Sequence, residues 1–268
     1  MSFGGKAAER LANKIVLITG ASSGIGAATA HEFASAANGH ISLILTARRE
    51  SRLAELAEEL KKAYAPIKVH TAKLDVSDTA SIEPFVSSLP KEFADIDVLI
   101  NNAGKALGRE TVGEIATADV AGMMQTNVVG LINVTQAVLP IFKKKNAGDI
   151  VNIGSIAGRE AYPGGSVYCA TKAAVNFFTH ALRKELISTK IRVLEVDPGA
   201  VETEFSMVRF RGDQAAADKV YEGTEPLTAE DIAEVIVFGV TRRQNTVIAE
   251  TLVFPSNQAG SAHIHSNT

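Results

Sequence analysis

The sequence predicts a doubly wound α/β fold: a single domain with a mostly parallel seven-stranded sheet and helices on both faces. Three observations carry this. Short apolar, β-branched runs alternate with helix-like segments along nearly the whole chain, the pattern of repeated β-α units. The first run, Ile15-Val16-Leu17-Ile18-Thr19, is almost wholly apolar, as suits a strand covered by helices on both sides. The 268 residues are 46% hydrophobic and 21% charged, enough for one large core within the size at which such folds stay undivided.

Taken in order, the strands are predicted at 14–19, 41–47, 67–74, 97–101, 149–154, 191–197 and 246–254. The helices are predicted at 25–36, 50–63, 80–89, a long one over 117–145, then 167–188 and 229–241. In the second of these, Leu53, Leu56, Ala57 and Leu60 recur at helical spacing among charged neighbours. Residues 200–224 show no clear periodicity and are long for a connection, which suggests a lid over a site. Residues 256–268 form a polar tail, expected to fray or to dock on a partner subunit.

Composition excludes several function classes. With 27 Lys and Arg against 30 Asp and Glu, the net charge of −3 offers no overall basic field for a nucleic acid. A single cysteine cannot form an internal disulfide, and with six scattered histidines it builds no closed zinc site. His263 and His265 lack a third ligand, so no metal is expected. The N-terminus lacks the apolar core of a secretion signal, and no stretch approaches about 18 uninterrupted apolar residues. The expectation is a cytoplasmic protein with no membrane partner.

The chemistry begins where the first strand ends, at Thr19-Gly20-Ala21-Ser22-Ser23-Gly24-Ile25-Gly26. Glycines at 20, 24 and 26 permit unusual backbone angles and close approach of a diphosphate, whose charge the free N–H groups of the following helix favour. A dinucleotide is the natural ligand. The end of the second strand selects which one: an acidic residue there would bind the ribose 2′-hydroxyl of NAD, but Ala47 is followed by Arg48 and Arg49, whose guanidinium groups suit a 2′-phosphate. NADP(H) is the expected cofactor.

Farther on, Tyr168 and Lys172 stand four positions apart at the start of a helix and so share one face. A phenol titrates near 10, and bringing it near neutrality takes roughly 4 kcal/mol, which a lysine cation and an oxidised nicotinamide have the sign to supply. Ser155 follows the fifth strand at the carboxyl edge of the sheet, within reach of a substrate oxygen. Cys169, with no histidine nearby in sequence, reads as a packed small residue.

Together TGASSGIG at 19–26, NNAG at 101–104, Asn127, Ser155, YCATK at 168–172 and DPG at 197–199 resemble the short-chain dehydrogenase/reductase family, from about residue 14 to about 205. The resemblance implies a Rossmann fold and a homotetramer. It implies Tyr168 as general acid/base, Ser155 as orienter of the reacting oxygen, and Lys172 as the cation that binds the nicotinamide ribose and lowers the tyrosine pKa. Asn127 matches a residue that kinks its helix and holds a water joined to the lysine; by itself it would also serve as a helix breaker. Cofactor contacts are implied at Gly20, Ser22, Ser23, Gly24, Ile25, Gly26, Arg48 and Arg49. Further contacts are implied at Asp75 and Val76 near adenine, at Asn102, Ala103 and Gly104 under the adenosine, at Pro198, Gly199 and Val201, and at Thr203 by the nicotinamide amide.

Within the family, NNAGKALG at 101–108, GSIAGREAYPGGSVYCATK at 154–172 and VETEFSMVRFRGD at 201–213 resemble NADP-dependent 3-hydroxy acid dehydrogenases of fungal and bacterial type. Such a substrate, serine or allo-threonine for example, carries a carboxylate, so its pocket needs a cation. Arg209, Arg211 and Arg159 are the candidates, and surface salt bridges of the first two to Glu202 or Glu204 are the plain alternative. Apolar Phe205, Met207 and Phe210 suit instead a carbonyl reductase for neutral ketones. A non-catalytic NADP-sensing protein would need none of the reacting groups.

Overall fold

The computed structural model describes residues 3–266. Among these, β1 (Ile15–Thr19), β2 (Ser42–Ala47), β3 (Lys68–Lys73), β4 (Val98–Asn101), β5 (Gly148–Ile153), β6 (Ile191–Pro198) and β7 (Glu250–Val253) form one sheet in the order β3-β2-β1-β4-β5-β6-β7. Every neighbouring pair is parallel. After α1 (Phe3–Leu11), the crossovers that parallel pairing requires are made by α2 (Gly24–Ala36), α3 (Glu50–Ala63), α4 (Ile82–Ser87), α5 (Thr117–Met124) with α6 (Leu131–Lys145), and α7 (Ser166–Glu185). Short α8 (Glu204–Arg209) and α9 (Gln214–Asp218) follow β6, and α10 (Ala229–Val240) precedes β7.

Successive strand residues face opposite sides, which divides the core in two. Val16 and Ile18 pack with Phe33 of α2, Leu53 of α3 and Ile232 of α10, whereas Leu17 joins Val134 and Phe142 of α6 and Leu182 of α7 on the other face. Trimming a fully buried side chain such as Phe33 or Phe142 to alanine costs about 3–5 kcal/mol, because a close-packed interior relaxes only partly into the gap.

The structure departs from the sequence reading in identifiable places. The long helix expected over 117–145 is interrupted by a π-helical turn at Gln125–Gly130. Its wider winding accommodates Asn127, whose side chain bonds both backbone groups of Lys105, and Gly130, where a Cβ would stand 2.5 Å from the Val76 carbonyl oxygen. The last strand is shorter than expected: the Thr246 carbonyl accepts from Arg192, and pairing with β6 starts only at the Ala249 carbonyl, which accepts from Glu195 N–H as well as from Arg183. The helix expected at 80–89 is split into a 3₁₀ turn, Thr79–Ser81, and α4. Helices α1, α8 and α9 were not anticipated; the last two are single short turns capped by Thr203 and Asp213, too brief to show a period. The tail up to residue 266 is tied to the fold, and 267–268 lie outside the described residues. Its Gln258 side chain accepts from the Ala200 N–H at 2.8 Å and donates to the Gly260 carbonyl at 2.9 Å, and the Ser261 N–H reaches Glu160.

No helix among the described residues is long and apolar enough to cross a membrane. None of their His, Cys, Asp and Glu side chains gather in threes or more to hold a metal ion.

Candidate active site

A cavity of about 860 Å³ opens where the sheet order reverses between β1 and β4, the switch point at which α/β sheets bind ligands. One wall is the glycine turn. Gly20 and Gly24 have φ of 67° and 53°, a region that side-chain-bearing residues rarely adopt. Gly26 is needed for space: a Cβ there would lie 2.5 Å from the Gly20 carbonyl oxygen and 2.6 Å from Asn102 Nδ2. The turn is tied to β4 by the Thr19 hydroxyl, which accepts the N–H groups of Asn102 and Ala103 at 3.1 Å each, while Asn102 Nδ2 donates to the Thr19 and Gly20 carbonyls.

Ser22, Ser23, Gly24, Ile25, Arg48, Arg49, Asp75, Val76, Asn102, Ala103 and Gly104 line this side, as the sequence predicts. Gly26 shapes the turn from behind without lining the cavity. Arg49 is held at the turn, donating to Ser23 Oγ at 2.7 Å and Ser22 Oγ at 3.0 Å and pairing with Glu204 at 2.8 Å. Burial raises the Asp75 pKa, but bonds from Ser77 and the charges of Arg48 and Lys105 outweigh it and hold the carboxyl below its ordinary value. The residues therefore fit a dinucleotide with an extra phosphate: a backbone cradle that a Cβ would fill, and two guanidinium groups at its far end.

On the opposite wall stand Ser155, Tyr168, Lys172, Pro198, Gly199, Val201, Thr203 and Arg209. Lys172 Nζ donates to the Ile153 carbonyl at 2.7 Å and lies 5.9 Å from the centre of the Tyr168 ring. Burial pushes its pKa down to about 8, against the charges of Asp197 and Glu195. For Tyr168, burial raises the phenol above its ordinary 10 and Tyr162 adds to the rise, while a hydrogen bond with Ser155 and the charge of Arg209 oppose it. In the protein without cofactor the Lys172 amine is committed to a backbone oxygen and desolvation sets the direction of the tyrosine shift. Asn127 does not line the cavity. Its Oδ1 accepts from Lys105 N and its Nδ2 donates to Lys105 O and Thr171 Oγ1, so it braces the floor beneath Lys172. Cys169 is buried.

The three candidate arginines separate cleanly. Arg159 points away from the cavity and pairs with Asp197 and Glu250 at 2.7 and 2.6 Å. Arg211 lies outside it, with φ of 54°, and pairs with Glu110 and Asp119 at 2.8 and 2.7 Å, not with Glu202 or Glu204. Both are corrections, with one reason: each guanidinium already serves two carboxylates. Arg209 alone of the three lines the cavity. It donates to the Tyr162 hydroxyl at 3.0 Å, the Gly164 carbonyl at 3.0 Å and the Gly108 carbonyl at 3.2 Å, and has no carboxylate partner among the described residues. Phe205 and Phe210 line the cavity too, whereas Met207 does not.

Sequence reading missed Tyr162, Tyr221, Gln258 and Ile264, which also line the cavity. Tyr162 begins a Tyr-Pro-Gly-Gly stretch whose turn signal was available; the tail residues carried no signal at all.

A family model described as short chain dehydrogenase matches residues 14–214. The chain is 60% identical over 257 residues to an NADP-dependent 3-hydroxy acid dehydrogenase of Schizosaccharomyces pombe, covering 96% of this chain and 98% of that protein. It is 49% identical over 249 residues to sulfoacetaldehyde reductase 2 of Chromohalobacter salexigens, covering 92% and 96%. Among solved structures, it is similar to the closed form of a serine dehydrogenase complexed with NADP+, with a TM-score of 0.87, 42% identity, and 95% of this chain and 99% of that one covered.

Proposed function

The chain belongs to the short-chain dehydrogenase family, and on that premise we propose that it is an NADP-dependent oxidoreductase acting on the β-hydroxyl carbon of small 3-hydroxy acids such as serine, allo-threonine and 3-hydroxyisobutyrate. The observation that carries the substrate class is Arg209, a guanidinium bonded only to neutral oxygens in the cavity that holds Ser155 and Tyr168. A carboxylate is the partner it lacks.

In this reading Gly20 and Gly24 with Ser22, Ser23 and Ile25 hold the diphosphate on the turn that Gly26 shapes, and Arg48 and Arg49 take the 2′-phosphate. Asp75, Val76 and residues 102–104 flank the adenosine; Pro198, Gly199, Val201 and Thr203 flank the nicotinamide. When bound, NADP accepts or returns a hydride. The protein's part is orientation and proton movement. Ser155 Oγ orients the reacting oxygen, Arg209 fixes the carboxylate, and Tyr168 Oη gives its proton to that oxygen in reduction or takes it in oxidation. The phenol carries its proton in the free protein, and because burial raises its pKa, releasing that proton needs a compensating positive field. Lys172 supplies the positive field that favours the phenolate in the oxidative direction, and Asn127 holds the backbone around it.

We take residues 200–224 as the lid, since they carry Arg209 and Phe205 over the cavity. We place the protein in the cytoplasm as a homotetramer. The apolar side chains of Phe177 and Ile187, 75% and 83% exposed on α7 and just beyond it, support a surface that another copy covers.

The test is NADPH formation over L-serine, L-allo-threonine, 3-hydroxyisobutyrate, 2-hydroxyethanesulfonate and a neutral secondary alcohol. The expected result is kcat/KM for the hydroxy acids at least ~10-fold above that for the neutral alcohol, since a charge-assisted bond is worth roughly 1.5–3 kcal/mol. Phe205 and Phe210 in the lining favour a second reading, reduction of neutral ketones, and a neutral alcohol turned over as well as the acids would establish it in place of the first.

A further inference from the structure

Behind Ser155 lies a buried charged cluster that the mechanism above does not use. Asp197 is 1% exposed and Glu195 is 0% exposed, two residues apart on β6 and therefore on the same side of the strand. Asp197 Oδ1 accepts the Ser155 backbone N–H at 3.0 Å. Its other oxygen accepts from Arg159 Nε at 2.8 Å, and the same guanidinium continues to Glu250 on β7. Glu195 Oε2 accepts from Asn176 Nδ2 of α7 at 3.2 Å, while Oε1 is buried with no donor. That orphan oxygen and Asp197 Oδ1 converge on the α-carbon of Gly154: a Cβ there would collide with the aspartate and lie 2.7 Å from Glu195 Oε1. On the peptide before, the Ile153 carbonyl holds Lys172 Nζ. The last two peptide units of this strand end thus fix the lysine on one side and the serine on the other.

We propose that Asp197 is a positioning residue for the reaction: clamped by Arg159 and backed by Glu195, it holds the Ser155 N–H and with it the hydroxyl that orients the substrate oxygen. Two carboxyl groups in contact and out of water cannot both stay ionised. A proton on Glu195 gives its orphan oxygen a bond to donate to Asp197 and leaves one negative charge for Arg159 to balance. Burial, with the charge of Asp197, indeed holds the Glu195 carboxyl up to about 8. Gly154 is required because any larger residue would enter the space between the pair and the serine.

The inference rests on Ser155 orienting the substrate, so its test includes a readout that needs no substrate. In the full-length protein, D197A, which removes both acceptor oxygens, should speed hydrogen exchange at the Ser155 amide at least tenfold and lower kcat at least tenfold, with NADPH affinity, followed by cofactor fluorescence, changed less than twofold. E195L should lower kcat similarly, and E195Q should restore most of it, because the amide Nε2–H replaces the acid proton. Unchanged exchange at Ser155 in D197A overturns the inference, as does a kcat loss matched by an equal loss of NADPH affinity. E195Q as impaired as E195L overturns the role of Glu195. Should D197A not fold, R159M at the partly exposed end of the cluster carries the same three measurements. Wild-type protein inactive on every hydroxy acid would refute the substrate assignment, yet leave the exchange result standing.

Discussion

The glycine turn at 19–26 and the segment 200–224 face each other across one cavity, but they are fixed by different bonds. The turn is held by backbone geometry: glycines at positive φ, a helix start, and the Thr19 and Asn102 bonds to main-chain groups. The segment has main-chain bonds at its ends and to Gly108, but most of its ties across the cavity are long side chains. Arg209 reaches the Gly108 and Gly164 carbonyls, Tyr221 Oη reaches the Val201 carbonyl and Ser206, and Arg211 reaches Glu110 and Asp119. A wall built from backbone has one shape and recognises what all dinucleotides share. A wall built from side chains can exchange partners, which is what a wall that selects substrates requires.

The sharpest test of this contrast is made where the two walls meet. Tyr168→Phe keeps the ring packed against Phe205 and removes only the transferable proton. It should lower kcat by roughly 10²–10⁴-fold with cofactor affinity unchanged, in stopped-flow and fluorescence titrations. Normal turnover would remove the tyrosine from the chemistry. On the rigid wall, Gly26→Ala places a Cβ 2.5 Å from a carbonyl oxygen that has nowhere to move. NADPH affinity should fall on the order of 100-fold, a penalty of about 3 kcal/mol by the usual conversion, in calorimetric titration. Affinity within threefold would mean the turn is softer than its bonds imply.

On the adaptable wall the expected effects are smaller and selective. Arg209→Met should raise KM for hydroxy acids about 10-fold and leave neutral alcohols alone, whereas Arg211→Met, which frees only solvent-screened ion pairs outside the cavity, should change either by less than twofold. Equal losses on acid and neutral substrates would return Arg209 to a structural role. The smallest effect concerns stability. Glu195 is raised from 4.5 to about 8 by burial, so the stability it contributes is full below pH 4.5 and is lost as pH rises through 8. Melting curves should therefore show wild type losing a few degrees relative to E195Q between pH 5 and 8. Lys172, lowered from 10.5 to about 8, works in the opposite sense above pH 8, outside that window. Parallel curves would show that Glu195 stays ionised.

Much of the fold was readable residue by residue. Strands β1 to β6 fall within one or two residues of the apolar runs, and α3 begins and ends where its Leu53, Leu56, Ala57 and Leu60 period does. A kink at Asn127 was implied by the family resemblance, but its π-helical form and its extent, Gln125–Gly130, were not readable, because their causes, Lys105 and Val76, lie more than twenty residues away in sequence. Ser155, Tyr168 and Lys172 were legible as types and spacings, and the structure brings them to one cavity, whereas the surroundings of the tyrosine were not legible, since Tyr162 and Arg209 arrive from other segments.

The amino-acid sequence by itself determined the parallel α/β architecture, the dinucleotide turn and the positions of the candidate reacting groups, because each follows from rules acting over a few neighbouring residues: strand and helix period, glycine φ, and fixed offsets along one helix. Only the tertiary structure decided which arginine lines the cavity, which two are spent on carboxylates, where the described tail packs, and that Glu195 stands against Asp197 behind Ser155. Those are pairings between charged groups far apart along the chain, and a long side chain takes whichever partner the folded backbone brings within about 3 Å.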